Sequence, residues 1–205
     1  MLFQGEEFAS TAPFQFFADI PESLVPHVRE GRKEFLCQWR SIRESAIIDA
    51  LPDPCSVETF ERCKLDPAQR NKNGAAYRLH SDLIRLKRTD PVLSAVPIVP
   101  IDGAVLSTQA FLLRYFSSSG EDRLLIVNLG IDLHLNPAPE PLLAPPRNQS
   151  WRTLLATEAP EYGGTGAAEP DCEERNWMIQ GQSAVLLAPG PKRQSTVDIK
   201  EKNSR

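Results

Sequence analysis

The 205 residues hold no paired cysteine motif, no excess of basic over acidic side chains and only three histidines. They also lack any apolar run near the roughly 20 residues that a membrane-spanning helix needs. Each absence removes a class of function. With 23 Lys and Arg against 27 Asp and Glu the formal charge is −4, so no basic surface invites nucleic acid. Met1-Leu2-Phe3 is too short for a signal-peptide core, and Glu6 and Glu7 follow it instead of a cleavage site. Cys37, Cys55, Cys63 and Cys172 form no CxxC pair and have no matching histidine spacing. That pattern excludes a disulfide framework or a zinc site as the expectation. Reduced thiols in a cytoplasmic protein follow, with no metal and no cofactor. His27, His80 and His134 have no sequence partner that completes a catalytic set. Ser183, in Gly181-Gln182-Ser183-Ala184-Val185, lacks the closing glycine of a nucleophile elbow. Asn148-Gln149-Ser150 matches the glycosylation pattern, which without an export signal is coincidence.

What is present is an ordinary globular composition, 41% hydrophobic and 24% charged. The length allows one large or two small domains. The most informative stretch is MLFQGEEFASTAPFQFFAD, residues 1–19. An apolar start meets a Gly-Glu-Glu turn, then a loop carrying Phe8, Phe14, Phe16, Phe17 and Asp19. A buried strand that ends in glycine and carboxylates and opens into an aromatic loop has the pattern of a β/α-barrel rim, where functional residues sit at strand C-termini. Such a strand requires parallel neighbours and a crossover helix before it. Either the strand is an edge piece of something small, or the chain is the tail of a longer protein.

Pro21 and Glu22 suit the start of a helix. Leu24, Val28, Phe35, Leu36 and Trp39 continue at near-helical spacing, with a break expected at Gly31. Residues 49–56 read as a loop. Ser56 caps a short helix carrying Glu58 and Glu61, which Asp66-Pro67 stops. Residues 68–88 form the strongest helix, with Ala75, Ala76, Leu79, Leu83 and Leu86 on one face. Asp90-Pro91 ends it.

Beyond Pro91 the period becomes that of strands: 97–101, 104–107, 110–115, 124–129, 131–135, 151–156, 176–179 and 183–188. Asp102-Gly103 predicts a hairpin turn, and 117–120 another turn. Residues 137–146 and 162–170 are loops, and 191–205 an unstructured tail. The fold class is α+β: a helical first part (1–90), too small in core to stand alone, then an antiparallel β-sandwich (91–190) and the tail (191–205).

Four stretches resemble one family: residues 1–19; Gly31-Arg32-Lys33-Glu34-Phe35; Asp53-Pro54 with Thr59-Phe60-Glu61-Arg62-Cys63-Lys64-Leu65-Asp66 and the Arg78-Leu79-His80 helix; and the strands with Trp151 and Tyr162-Gly163-Gly164. Together they are similar to the C-terminal part of the malto-oligosyltrehalose trehalohydrolases, in the α-amylase family (glycoside hydrolase family 13). Phe14–Asp19 and Thr59–Asp66 are the specific elements, separating these enzymes from branching enzymes, whereas Gly-Glu-Glu alone is common to many α-amylase relatives. The chain departs from the family pattern at Ile20, where histidine is usual, and at Pro67, where tryptophan is common.

The resemblance implies the last strand and following helices of a (β/α)8 barrel, then the sandwich. It implies a maltooligosyl trehalose or α-glucan substrate, hydrolysed next to its trehalose end by carboxylates on both sides of the bond. Those carboxylates would lie before Met1, so no catalytic residue is assigned here. Glu6 and Glu7 are adjacent and point apart, which suits backbone hydrogen bonding at the rim. Candidate substrate-binding residues are Glu7, Phe14, Phe16 and Asp19. The phenylalanines have two readings, stacking on sugar or packing against the rest of a barrel. Alternation sends Phe14 and Phe16 to one side and Phe17 to the other. Asp19 either meets sugar hydroxyls or caps the helix after Pro21. Trp151 and Trp177 are expected in the sandwich core or at a domain interface. A stand-alone carbohydrate-binding or structural module, and the C-terminal part of a branching enzyme, are the alternatives.

Overall fold

Among the described residues, eight strands in two antiparallel sheets account for most of the second half of the chain. The computed structural model describes residues 2–43, 47–48, 50–167, 169–172 and 176–192; most of the expected tail lies outside them. Two compact units emerge, Met1–Tyr77 and Arg78–Arg205.

The first unit begins differently from expectation. Leu2 and Phe3 join no sheet, and Gln4-Gly5 turn directly into a 3-10 helix, Glu6–Phe8. Three observations fix that turn. Gly5 sits at φ +81°, and an added Cβ would lie 2.7 Å from the Ser10 Cβ. The Gly5 carbonyl accepts from the amides of Phe8 and Ser10. Glu6 folds its carboxylate back onto the Phe3 amide at 2.8 Å. An internal parallel strand needs partners on both sides, and Leu2-Phe3 has none among the described residues.

Helix α1 spans Val25–Leu36, preceded by a 3-10 turn at Glu22–Leu24. It runs unbroken through Gly31, contrary to the expected break, since one helical glycine costs only about 1 kcal/mol. Helix α2, Val57–Cys63, is capped as the sequence indicates: Ser56 Oγ accepts from the Glu58 amide at 3.1 Å. The strong helix is split into α3, Gln69–Lys72, and α4, Gly74–Thr89. Asn73 stands at the break, and its side-chain amide donates to the carbonyls of Phe8 and Ala9 at 2.9 and 3.1 Å. Among the described residues, the buried side chains of this unit are few, chiefly Phe8, Thr59 and Cys63, while Phe3, Phe14 and Phe35 are all more than half exposed.

In the second unit the strands are β1 (Ile101–Ser107), β2 (Ala110–Tyr115), β3 (Arg123–Asn128), β4 (Leu133–Leu135), β5 (Gln149–Ala156), β6 (Asp171–Cys172), β7 (Asn176–Ile179) and β8 (Ser183–Pro191). They order as β1-β2-β3-β8-β5 and β4-β7-β6. Leu112, Leu124, Ile126, Trp151 and Leu187 of the larger sheet pack in one cluster with Trp177 and Ile179 of the smaller. This is an antiparallel two-sheet arrangement with the tryptophans in its core, as expected. Asp102-Gly103 is not a hairpin turn. It lies inside β1, opposite Arg114 and Leu113, and Thr108-Gln109 make the turn. A turn at 102–103 would leave a first strand built on Pro97 and Pro100, which have no N–H to donate to a ladder.

Among the described residues, two ion pairs are buried in this unit. Arg114 reaches Asp122 Oδ2 through Nε and Nη2 at 3.0 and 2.9 Å, and its Nη1 donates to the carbonyls of Leu142 and Ala144. The proline-rich segment is thereby tied to the sheet at its 3-10 turn, Pro141–Leu143. Arg123 Nε donates to Asp90 Oδ2 at 2.9 Å, while Asp90 Oδ1 accepts from the amides of Val92 and Leu93. The Asp90-Pro91 helix stop is thus also an anchor to β3.

Tyr162 donates its hydroxyl proton to Asp82 on α4 at 2.8 Å. Partial burial, then the Asp82 carboxylate, push the phenol up to about 12. The folded state keeps this proton after an unfolded tyrosine, near pH 10, has lost it. The resulting contribution to stability is present below about pH 10 and is lost as pH rises through about 12. Tyr162→Phe therefore removes a phenol that titrates near pH 12 from an ultraviolet titration. A difference spectrum with its midpoint near pH 10 would contradict the assignment.

Candidate functional site

One cavity of about 700 Å³ lies in the first unit, a size typical of small-molecule sites. It is built from three segments: the extended Phe14–Phe16, one face of α1, and the loop leading to Pro54. The first and third segments are joined by the Ala18 amide donating to the Pro54 carbonyl at 2.8 Å. The loop itself is shaped by Asp53, whose carbonyl accepts from Thr59 Oγ1 and whose carboxylate accepts from the Cys55 amide.

The extended segment follows the expected alternation only in part, because Gln15 lines the cavity together with its two neighbours. Phe14 and Phe16 line the cavity, and Phe17 turns away to meet Phe60 with ring centroids 5.0 Å apart. Phe14 is 71% exposed, with Phe3 edge-on at 5.2 Å. Of the other two candidates, neither reaches the wall: Glu7 is half-buried in the 3-10 helix, and Asp19 is exposed. The capping alternative for Asp19 fails, because the turn at Glu22 starts from Pro21 without any side-chain cap.

Charged residues that sequence reasoning did not place in a site complete the wall: Arg29, Glu30, Arg32, Lys33 and Asp53. Arg29 Nε donates to Asp53 Oδ1 at 2.9 Å, with a second bond from Nη2 to Oδ2. The hydrogen bonds from Arg29, then the Cys55 amide, hold the Asp53 carboxyl below the usual carboxylate range. The Arg32 guanidinium lies over Phe16 at 5.1 Å and over Phe35 at 5.6 Å from the ring centroids. A signal existed: two of the stretches that carry the family resemblance, Gly31-Arg32-Lys33 and Asp53-Pro54, meet here with a third, Phe14–Phe16.

Aromatic faces beside donors and acceptors of both signs suit a neutral, amphipathic ligand. The wall is poorly suited to hydrolysis. Glycosidic cleavage needs two carboxylates with separate roles, and Asp53 is occupied by Arg29. Among the described residues no cluster of His, Cys, Asp and Glu could hold a metal, and no helix is long and apolar enough to cross a membrane.

Residues 101–175 match a family model described as a domain of unknown function, DUF3459. The malto-oligosyltrehalose trehalohydrolase of Deinococcus radiodurans is 35% identical over 82% of this chain and 27% of its own length. A 1,4-alpha-glucan branching enzyme of Thermobifida fusca is 31% identical over 55% of this chain and 16% of its own length. A crystal structure of a mutant of MutB, from crystals soaked with trehalulose, shares the fold at TM-score 0.50 and 16% identity, over 91% of this chain and 35% of that one. The chain thus spans about a quarter of the length of the trehalohydrolase it matches. By sequence it is a relative of the malto-oligosyltrehalose trehalohydrolases of the α-amylase family, aligned with the C-terminal part of those enzymes.

Proposed function

We propose that this chain is the C-terminal part of a cytoplasmic glycoside hydrolase. That enzyme would cleave the α-1,4 bond next to the trehalose end of maltooligosyl trehalose and release trehalose. The observation that carries this reading is the 35% identity to a trehalohydrolase over 82% of the chain. The catalytic carboxylates would belong to a barrel upstream, whose last strand would be completed by residues at the start of this chain. Here residues 1–90 supply rim and helices, and the two-sheet unit forms a C-terminal domain. Glu7, Phe14, Phe16 and Asp19 remain the proposed rim residues, with Phe14 and Phe16 supported by their place on the cavity wall.

The isolated 205-residue chain is expected to release no trehalose from maltooligosyl trehalose above a protein-free blank. Release by the chain alone would contradict the placement of the catalytic groups elsewhere. A second reading, a branching enzyme, is favoured by the Thermobifida fusca similarity. Product analysis separates the two, because a branching enzyme makes new α-1,6 branch points and frees no trehalose.

A further inference from the structure

We propose that the first-unit cavity binds a neutral oligosaccharide through Arg32, whose guanidinium donates to a pair of adjacent sugar hydroxyls while Phe14 takes the apolar face of a pyranose. This rests on the glucan reading above and extends it to a site and a recognition residue.

Arg32 is unlike the other cations of the wall. Arg29 is neutralised by Asp53 through two hydrogen bonds. Arg32 is held instead by ring contacts, over Phe16 and Phe35, and Phe35 is itself braced by Trp39 with centroids 5.0 Å apart. Such cation–ring contacts use none of the guanidinium's N–H donors as hydrogen bonds. Among the described residues no acceptor meets them, and Arg32 lines the cavity. The result is a donor fork fixed in orientation before any ligand arrives, so little rotamer freedom is lost on binding. Two vicinal hydroxyl oxygens match the spacing of such a fork.

The wall suits a ligand that both donates and accepts, since a fully ionised anion has no proton to give Glu30. Glu30 lines the same cavity as Arg32 and Lys33, and with Arg29 paired to Asp53 the two remaining cations face one carboxylate. A phosphate would meet that carboxylate unfavourably, whereas hydroxyls can donate to Glu30 and accept from Arg32 and Lys33. Phe14, 71% exposed, offers apolar surface for pyranose C–H groups, which the charged groups alone would not hold.

Calorimetric titration of the 205-residue chain with maltoheptaose, and separately with inorganic phosphate, tests this. Maltoheptaose binding is expected. Arg32→Lys, which keeps the charge and loses the fork, should weaken it at least ~5-fold, the worth of about one hydrogen bond. Phe14→Ala should weaken it comparably, and this exposed position carries little risk to folding. Val105→Ser, an exposed change on the second unit, should leave it unchanged. Failure of maltoheptaose to bind, binding by Arg32→Lys or Phe14→Ala as tight as by the unaltered chain, or binding of phosphate alone would each overturn the proposal. Trehalose release by the longer enzyme is a separate readout. Release without cavity binding defeats this proposal alone, and cavity binding without release defeats the trehalohydrolase reading alone.

Discussion

Asp122→Ala is expected to destabilise the second unit by about 3–5 kcal/mol, the usual cost of leaving one partner of a buried ion pair uncompensated. That is a large share of the ~5–15 kcal/mol by which domains are stable. The side chains of Arg114 and Asp122 are only 10% and 8% exposed. Removing the carboxylate strips two bonds from the guanidinium and one acceptor from the Ser117 amide, which Asp122 Oδ1 serves at 2.9 Å. Replacing both partners with apolar side chains should recover only part of the loss. Arg114 also satisfies the carbonyls of Leu142 and Ala144, and these would lose their donor. Urea unfolding followed by tryptophan fluorescence measures the effect. A shift below about 1 kcal/mol would mean that water reaches the pair and screens it.

Trp151→Ala should cost about 3–5 kcal/mol by a different route, loss of a large buried ring. Trp151 is 2% exposed within the cluster joining the two sheets, and its Nε1 donates to the Leu143 carbonyl at 2.7 Å. Trp151→Phe keeps most of the volume and loses that bond, so about 1–2 kcal/mol is expected. The ring also lies under the Arg114 guanidinium, 5.4 Å from its centroid. Trp151→Ala and Asp122→Ala therefore act on the same residue and should not add. Calorimetric melting of the two single variants and the double variant checks this. Strict additivity would contradict the shared role of Arg114.

The sheet part of the fold was legible because period-two patterning is local. The bounds of β2 and β7 coincide with the apolar runs 110–115 and 176–179. Ser56 as a helix cap was legible for the same reason. Features set by distant partners were not. Asp102-Gly103 carries a strong turn signal, but its register is decided by pairing with Leu113 and Arg114. Gly31 signals a break, yet α1 continues past it, with open space around the missing Cβ. The opening residues suggest a strand and instead turn at Gly5, because a strand's existence depends on neighbours. At the site, alternation separated Phe14 and Phe16 from Phe17 but did not foresee Gln15 on the same wall. Arg32 stood in a stretch that carries the family resemblance, but its place over Phe16, well before it in the chain, could not be read from that stretch. The Arg29–Asp53 pair needed the loop at 51–54 to be folded back on α1 before it could be seen.

The most direct test is product analysis of the complete protein encoded by the reading frame that contains residues 1–205, incubated with maltooligosyl trehalose. Free trehalose and a maltooligosaccharide shortened at the trehalose end, in equal amounts, are the predicted products. New branch points, or an unchanged substrate, would contradict the trehalohydrolase assignment.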